Sequence, residues 1–317
     1  MILVVVEHDR GALSAASLEA LTAARSLGVV EALTVGESAD HLADELAAYG
    51  AGKVHQVHDE LLSDYGPEAW GEVVAQAVRA LTPTIVLACG TDRGNEVIAQ
   101  AAARLDLPFA ANCLSLRPGD TFETTRVRWG GSLLEDASLT AKIKLVTIAH
   151  HSVDAEPAAV QGSANPAPLA VSLDPSLSRS VVCGRVERQA GVTLSTSTVV
   201  VGGGRGVGSP EGFGPLQELA TELGGVVGCS RAVTNNGWRN HTDQVGQTGT
   251  RIAPDVYFAC GISGAIQHWV GAMASKNIIA INTDREANMV TKAGYAVIGD
   301  LHQVVPAITA EIRRRRT

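Results

Sequence analysis

The chain has 317 residues, 45% of them hydrophobic, with 33 glycines and only 4% aromatics. That length exceeds one comfortable core and suits two domains, and the glycine-rich balance suits α/β folds, where backbone passes close to ligand or helix. A net charge of −8 argues against a general nucleic-acid binder, and no stretch of about 20 apolar residues marks a membrane span.

Strands and helices alternate through the first hundred residues. A strand is expected at Ile2–Val6, a helix over Ser14–Leu27, a strand near Glu31–Val35, a helical stretch at His41–Tyr49 and a strand near Lys53–Val57. The 67–81 segment puts Val74, Ala77, Val78 and Leu81 on one helical face. Strand Thr84–Ala88, the string C-G-T-D-R-G at 89–94 and a helix to Leu105 follow. This alternation predicts a mostly parallel sheet with helices on its faces.

The pattern changes after Leu107. T-F-E-T-T-R-V-R-W at 121–129 is β-like, Leu133–Leu139 reads as a helical turn, and Lys144–His150 reads as a strand. Residues 154–180, rich in Pro, Ala and Ser, read as a connector. A short strand-like stretch lies near Val181–Val186. The boundary is placed at 192/193, giving domains 1–192 and 193–317.

The second domain is more regular. Strands are expected at Thr198–Val201, Val226–Gly228, Asp255–Ala259, Ile278–Ile281 and Ala296–Ile298, and helices at Phe213–Leu223, from G-I-S-G to Met273, and over Leu301–Arg314. Leu216, Leu219, Ala220 and Leu223 share one helical face. The order is that of a doubly wound nucleotide-binding domain. The run Arg313–Arg316 reads as a solvated helix end whose cations suit the helix dipole, with docking or membrane-surface contact as the other reading.

The five cysteines are widely spaced and form no C-x-x-C, which argues against an iron–sulfur cluster or structural zinc, so no metal ligands are assigned. An odd count without a signal peptide fits a reducing compartment, and a cytoplasmic location is expected.

Four strings carry the chemistry. V-V-V-G-G-G-R-G-V-G at 199–208 sits between a strand and a helix, where backbone amides cradle phosphate. It is neither G-x-G-x-x-G nor a P-loop, and a structural turn is the competing reading. G-I-S-G-A-I-Q-H at 261–268 follows a strand and opens a helix. Gly261 and Gly264 allow close backbone approach, Ser263 caps the helix and faces a phosphate, and Gln267 and His268 project from the first turn. C-S-R-A at 229–232 and Q-V-G-Q-T-G at 244–249 supply hydroxyls, amides and a guanidinium, the groups a planar, multiply hydrogen-bonding ring requires. Arg231 is the cation suited to the charge of a reduced flavin, and a surface salt bridge is its alternative role.

Together these strings resemble the α subunit of electron transfer flavoproteins. The similarity rests on G-G-R-G at 203–206, G-C-S-R-A at 228–232, Q-V-G-Q-T-G at 244–249, A-P-D-V-Y at 253–257, G-I-S-G-A-I-Q-H at 261–268, A-I-N-T-D at 280–284 and G-D-L at 299–301. A weaker match runs through E-H-D at 7–9, A-A-A-R-L-D-L-P at 101–108 and the G-G-S-L region near 130–133. The resemblance implies an α/β heterodimer of two-domain α/β chains. The first domain here would be nucleotide-hydrolase-like and contact the β subunit, and the second would hold one FAD. AMP is expected in the β partner only. The implied FAD contacts are Arg205, Ser230, Arg231, Gln244, Val245, Gly246, Gln247, Thr248, Gly261, Ser263, Gly264, Ala265, Ile266, Gln267, His268, Asn282, Asp300 and Leu301. By the same resemblance Arg231 lies over the isoalloxazine, Thr248 near N5 and His268 near the C2 carbonyl. Ser263 meets the pyrophosphate or ribityl chain, and Asn282, Asp300 and Leu301 serve the adenosine end.

Three departures stand out. N-N-G-W at 235–238 replaces the family's D-A-G-W, Thr250 replaces a Lys, and E-A-N-M-V-T-K-A-G-Y at 286–295 replaces a segment containing E-A-P-I-F. They bear on redox tuning and on the partner dehydrogenase. The implied role is an electron carrier, not an enzyme, moving electrons from flavin dehydrogenases to a quinone-linked acceptor. The alternatives are an electron-bifurcating flavoprotein with a second FAD in the β subunit, an NAD-dependent enzyme on a related fold, and a non-catalytic nucleotide-binding regulator.

Overall fold

The computed structural model describes residues 1–119, 121–159, 165–184 and 192–316. The chain divides into two compact units, Met1–Glu187 and Arg188–Thr317. The expected 192/193 boundary adjoins residues 185–191, which lie outside the described set.

Unit 1 runs β1 (Ile2–Val5), β2 (His8–Asp9), β3 (Ala12–Leu13), α1 (Ala15–Arg25), β4 (Val30–Val35), α2 (Ala43–Ala48), β5 (Lys53–Val57), α3 (Pro67–Leu81), β6 (Ile85–Cys89), α4 (Asp92–Leu105), β7 (Phe109–Cys113), β8 (Phe122–Arg128), β9 (Leu133–Leu139), β10 (Lys144–Ile148) and β11 (Pro166–Pro168). Its main sheet has the order β11-β5-β4-β1-β6-β10-β7-β8-β9, parallel except where β8 pairs with β7 and β9. The unbroken I-L-V-V of β1 is buried on both faces. Ile2 and Val4 pack with Ala20, Leu21 and Leu46 of α1 and α2, and Leu3 and Val5 pack with Val74, Val78 and Ile98 of α3 and α4.

The helical reading of Leu133–Leu139 is wrong. These residues form β9, which pairs antiparallel with β8 along seven registered positions, from Phe122 opposite Leu139 to Arg128 opposite Leu133. The cause is the partner strand. Two glycines with positive φ, Gly130 and Gly131, reverse the chain after a β-rich run. Thr125 then bonds Asp136 across the ladder at 2.7 Å, with Arg126 beside Glu135 at 3.3 Å. The strand β7 was not anticipated. The stretch expected near Val181–Val186 is irregular over residues 181–184, and residues 185 and 186 lie outside the described residues.

Unit 2 runs β12 (Val199–Gly203), α5 (Gly214–Glu222), β13 (Val226–Cys229), α6 (Arg231–Asn235), β14 (Val256–Cys260), α7 (Ile266–Ala272), β15 (Asn277–Asn282), α8 (Asn288–Lys292), β16 (Tyr295–Ile298) and α9 (Leu301–Arg316). Its five strands are all parallel, in the order β13-β12-β14-β15-β16. Alternate residues feed opposite cores. Val201, Phe258 and Cys260 meet Leu216 and Leu219 of α5 and Val305 of α9, whereas Val200, Tyr257 and Ala259 meet Ala272, Ile252 and Met289. The terminal arginines are ion-paired: Arg313 to Glu222 and Glu218, Arg314 and Arg315 to Glu311, and Arg316 to Glu222.

Gly71, inside α3, sets the spacing of the α3–α4 pair. A β-carbon there would fall well inside contact distance of the Gln100 β-carbon on α4. Gly→Ala in a helix ordinarily stabilises by about 1 kcal/mol, but overpacking costs roughly 1–3 kcal/mol. Because the atom it meets adjoins the α4 backbone, the second effect wins. Gly71→Ala is expected to lower the denaturant midpoint of unit 1, and an unchanged or raised midpoint refutes the packing argument.

Candidate functional site

In the 2-1-3-4-5 sheet of unit 2, β12 is an interior strand between β13 and β14. The chain leaves it toward β13 on one side and returns to β14 on the other. The carboxyl ends of β12 and β14 therefore part company and leave a crevice, the position where open parallel sheets bind ligands. A cavity of about 590 Å³ occupies that crevice.

The crevice floor is backbone against backbone. Gly204 donates its N–H to the Cys260 carbonyl at 2.9 Å, and Gly206 donates to the Gly261 carbonyl at 3.1 Å. A β-carbon on Gly204 would overlap the Gly261 carbonyl oxygen, so only glycine fits. The two glycine strings are thus one structure, the paired exits of adjacent strands.

Arg205, Ser230, Arg231, Gly261, Ser263, Gly264, Ala265, Gln267, His268, Asn282, Asp300 and Leu301 line the cavity. Arg205 and Arg231 are exposed, and among the described residues no carboxylate lies within ion-pair distance of either. The surface salt bridge considered for Arg231 is therefore not made by the described residues. The wall also carries the carboxylates of Asp284 and Asp300, so it is of mixed charge, with the two guanidiniums free of direct ion pairs among the described residues and open to an anionic group placed beside them.

Gln244, Val245, Gly246, Gln247, Thr248 and Ile266 do not line it. The 244–249 loop is seated instead by internal bonds. Val245 N–H reaches the Cys229 carbonyl at 2.9 Å, and Gln247 N–H reaches the Gln267 carbonyl at 2.7 Å. The buried Gln244 amide accepts from Thr234 at 2.7 Å and donates to Thr248 at 3.0 Å. The loop thereby ties α6, which carries Arg231, to α7, which carries Gln267 and His268.

The expected capping role of Ser263 is not found. Helix α7 begins at Ile266 after Ala265, with no side-chain cap. Ser263 lies upstream, held by its carbonyl, which accepts the Met289 N–H at 3.2 Å. Gly206, Asn235, Thr283, Asp284, Ala287 and Gly299 also line the cavity but were not singled out. Gly206, Thr283 and Asp284 sit inside strings already recognised, whereas Ala287 carries no signal at all.

His268 is the most constrained polar group. It is buried, and its Nε2 lies 2.8 Å from the hydroxyl of the fully buried Tyr257. A buried hydroxyl requires an acceptor. If Tyr257 donates to Nε2, the proton of the neutral ring sits on Nδ1. Nδ1 is buried without a hydrogen-bond partner. Burial brings the imidazole pKa down to about 4, and the Val245 backbone opposes this without reaching hydrogen-bonding geometry. His268 is thus a neutral ring with one nitrogen anchored by Tyr257 and the other buried without a hydrogen-bond partner.

The chain is similar to known proteins over nearly its whole length. The electron transfer flavoprotein domain matches residues 2–175, and the electron transfer flavoprotein FAD-binding domain matches residues 193–273. The electron transfer flavoprotein subunit alpha of Bacillus subtilis is 36% identical, covering 99% of this chain and 97% of that protein. The subunit of the same name from Mycobacterium tuberculosis is 36% identical over 99% of both chains. The probable mitochondrial subunit alpha of Caenorhabditis elegans is 36% identical over 98% of this chain and 93% of its own length.

The state of His268 predicts a pH dependence. Its pKa is about 4 folded against an ordinary 6.5, so between those values the unfolded chain binds the extra proton. Stability is complete above about pH 6.5 and falls as the pH drops. From pH 7 to pH 5 the loss is about 2 kcal/mol from this group. Denaturant unfolding of the wild type and of His268→Gln at both pH values should show a steeper loss in the wild type, and equal losses count against a buried neutral ring.

Proposed function

The chain belongs to the electron transfer flavoprotein family as an α subunit, and from that premise we propose that it holds a single FAD in the cavity of unit 2. It is an electron carrier rather than an enzyme with its own substrate turnover. Its role as α subunit implies a β-subunit partner. We assign the electron source to flavin dehydrogenases, the acceptor to a quinone-linked oxidoreductase, and any AMP to the β chain.

The observation that carries the FAD assignment is the cavity at the strand switch point, with the guanidiniums of Arg205 and Arg231 outside any described ion pair on its walls and His268 among its lining residues. Those groups fit an anionic dinucleotide with a hydrogen-bonding ring. When bound, the flavin supplies the capacity to take up two electrons and release them singly. The chain's own residues do the holding. Backbone at Gly204–Gly206 and Gly261–Gly264 approaches the pyrophosphate, and Ser263 meets it or the ribityl chain. Arg231 and His268 address the ring, Arg231 as a fixed cation and His268 as a neutral imidazole. Asn282, Asp300 and Leu301 serve the adenosine end. The loop Gln244–Thr248 with Ile266 acts behind this surface, fixing where α6 and α7 present their side chains, and Thr248 is its nearest point to the ring.

Residues 193–317 form the FAD domain in this reading, and residues 1–192 carry the β-subunit contact. The exposed Trp129, Leu133 and Leu134 on the β8–β9 hairpin support such a contact in the first domain.

Co-purified with its β chain, the protein should be yellow and carry one flavin per heterodimer. Two flavins would instead support the bifurcating reading, and a colourless heterodimer that neither binds FAD nor bleaches on reduction overturns the proposal. Arg231→Gln removes a cation from the region where negative charge appears. It should lower the flavin midpoint potential by roughly 50 mV, about 1 kcal/mol per electron, with FAD still bound. A potential unmoved in a spectroelectrochemical titration would remove Arg231 from the ring.

A further inference from the structure

At the carboxyl edge of the large sheet of unit 1, β6 and β10 run parallel with Cys89 opposite Ile148. The chain leaving β10 carries His150 and His151 onto the flank of α1, where the buried Glu19 stands. One Glu19 oxygen, Oε1, lies 3.5 Å from His150 Nε2 and 3.4 Å from His151 Nδ1. The two imidazoles stack at 3.6 Å between centroids. The other oxygen, Oε2, accepts the His151 backbone N–H at 2.8 Å and lies 3.8 Å from the Cys89 thiol. Among the described residues no lysine or arginine pairs with Glu19.

These separations differ from those of direct histidine–carboxylate pairs elsewhere in the chain. His55 approaches Glu31 to 2.6 Å and His58 approaches Asp40 to 2.9 Å. Around Glu19 both rings stop well short of that. Ligands bonded at about 2.0–2.1 Å to a tetrahedral ion are roughly 3.3–3.4 Å apart, close to the two nitrogen–oxygen separations found here. All three ligand atoms lie within 4.8 Å of one another.

We propose that Glu19, His150 and His151 form a site for one divalent transition-metal ion of the zinc class. Two imidazoles and one carboxylate select a borderline ion over magnesium or calcium, which prefer oxygen donors throughout. The buried carboxylate then has a cation to compensate it, and the two imidazoles, stacked with 23° between their planes, open so that both in-plane lone pairs reach the ion. The ion pins the segment after β10 to α1, where His151 already occupies a left-handed backbone at φ 63°. The site is built from residues of unit 1 alone and does not depend on the FAD assignment in unit 2. The cysteine spacing that argued against structural zinc has no bearing on a set built from histidine and glutamate.

The test uses the co-purified heterodimer, stripped with a chelator and dialysed against low-micromolar Zn²⁺, with retained zinc counted per chain. One equivalent is expected, and zinc-edge absorption should show two imidazoles and one oxygen near 2.0–2.1 Å. The double variant His150→Gln, His151→Asn should retain none, with flavin content and circular dichroism unchanged. Asn tolerates the left-handed backbone at 151. Failure of the wild type to retain zinc, an equivalent retained by a folded double variant, or a zinc-edge shell without paired imidazoles overturns the site. The absorption measurement needs no variant and stands even if the double variant misfolds.

Discussion

The close approach of two chain exits, Gly204 against Gly261, is the constraint on which the C-terminal unit depends. Parallel neighbours β12 and β14 must leave the sheet in different directions, and the crevice between them exists only because neither exit carries a β-carbon that would wedge them apart. The groups that face the cavity are hung from those two exits or from the ends of β13, β15 and β16. Arg205 follows one exit, Ser263 and the start of α7 follow the other, and Ser230 with Arg231 follows β13. A sheet order in which β12 sat at an edge would offer backbone on one side only, with no crevice.

Electrostatics complete that geometry. Among the described residues the chain leaves Arg205 and Arg231 without a direct ion pair beside a cavity that Asp284 and Asp300 also line, while pairing the arginines of its C-terminal helix with glutamates. Surface pairs of the second kind contribute little to stability, typically below about 1 kcal/mol. Unpaired cations converging on a pocket are better understood through what they bind than through folding. His268 follows the same logic in neutral form. Tyr257 occupies one nitrogen, burial keeps the ring uncharged, and the remaining nitrogen is left without a protein partner.

Much of this was legible in the sequence because the relevant signals are local. The helix over 67–81 is set by an apolar stripe at helical spacing, and the doubly wound order of unit 2 is set by short apolar runs that end in glycine. Other features depend on contacts no local pattern encodes. Leu133–Leu139 became a strand because β8 lies opposite, and Ser263 lost its capping role because α7 starts three residues later. The loop 244–249 belongs to the same family string as its neighbours, but its glutamine turns inward to Thr234 and Thr248. The Glu19–His150–His151 cluster joins residues some 130 positions apart, and its convergence is a property of the parallel β6–β10 pairing.

The segment 286–295, which the sequence alone sets apart from the family pattern, shows how such a change would act. It folds as α8, with Met289 fully buried beneath the sheet and its N–H bound to the Ser263 carbonyl. Only Ala287 from this stretch reaches the cavity wall. The divergence is therefore placed behind the 261–264 loop and not among the groups that face a ligand. A change there acts by shifting the loop that carries Ser263, through one hydrogen bond and one buried side chain, while Arg231 and His268 are held by a separate set of contacts through Gln244 and Tyr257. The two ends of the cavity are supported independently, so the sequence can drift behind one without disturbing the other.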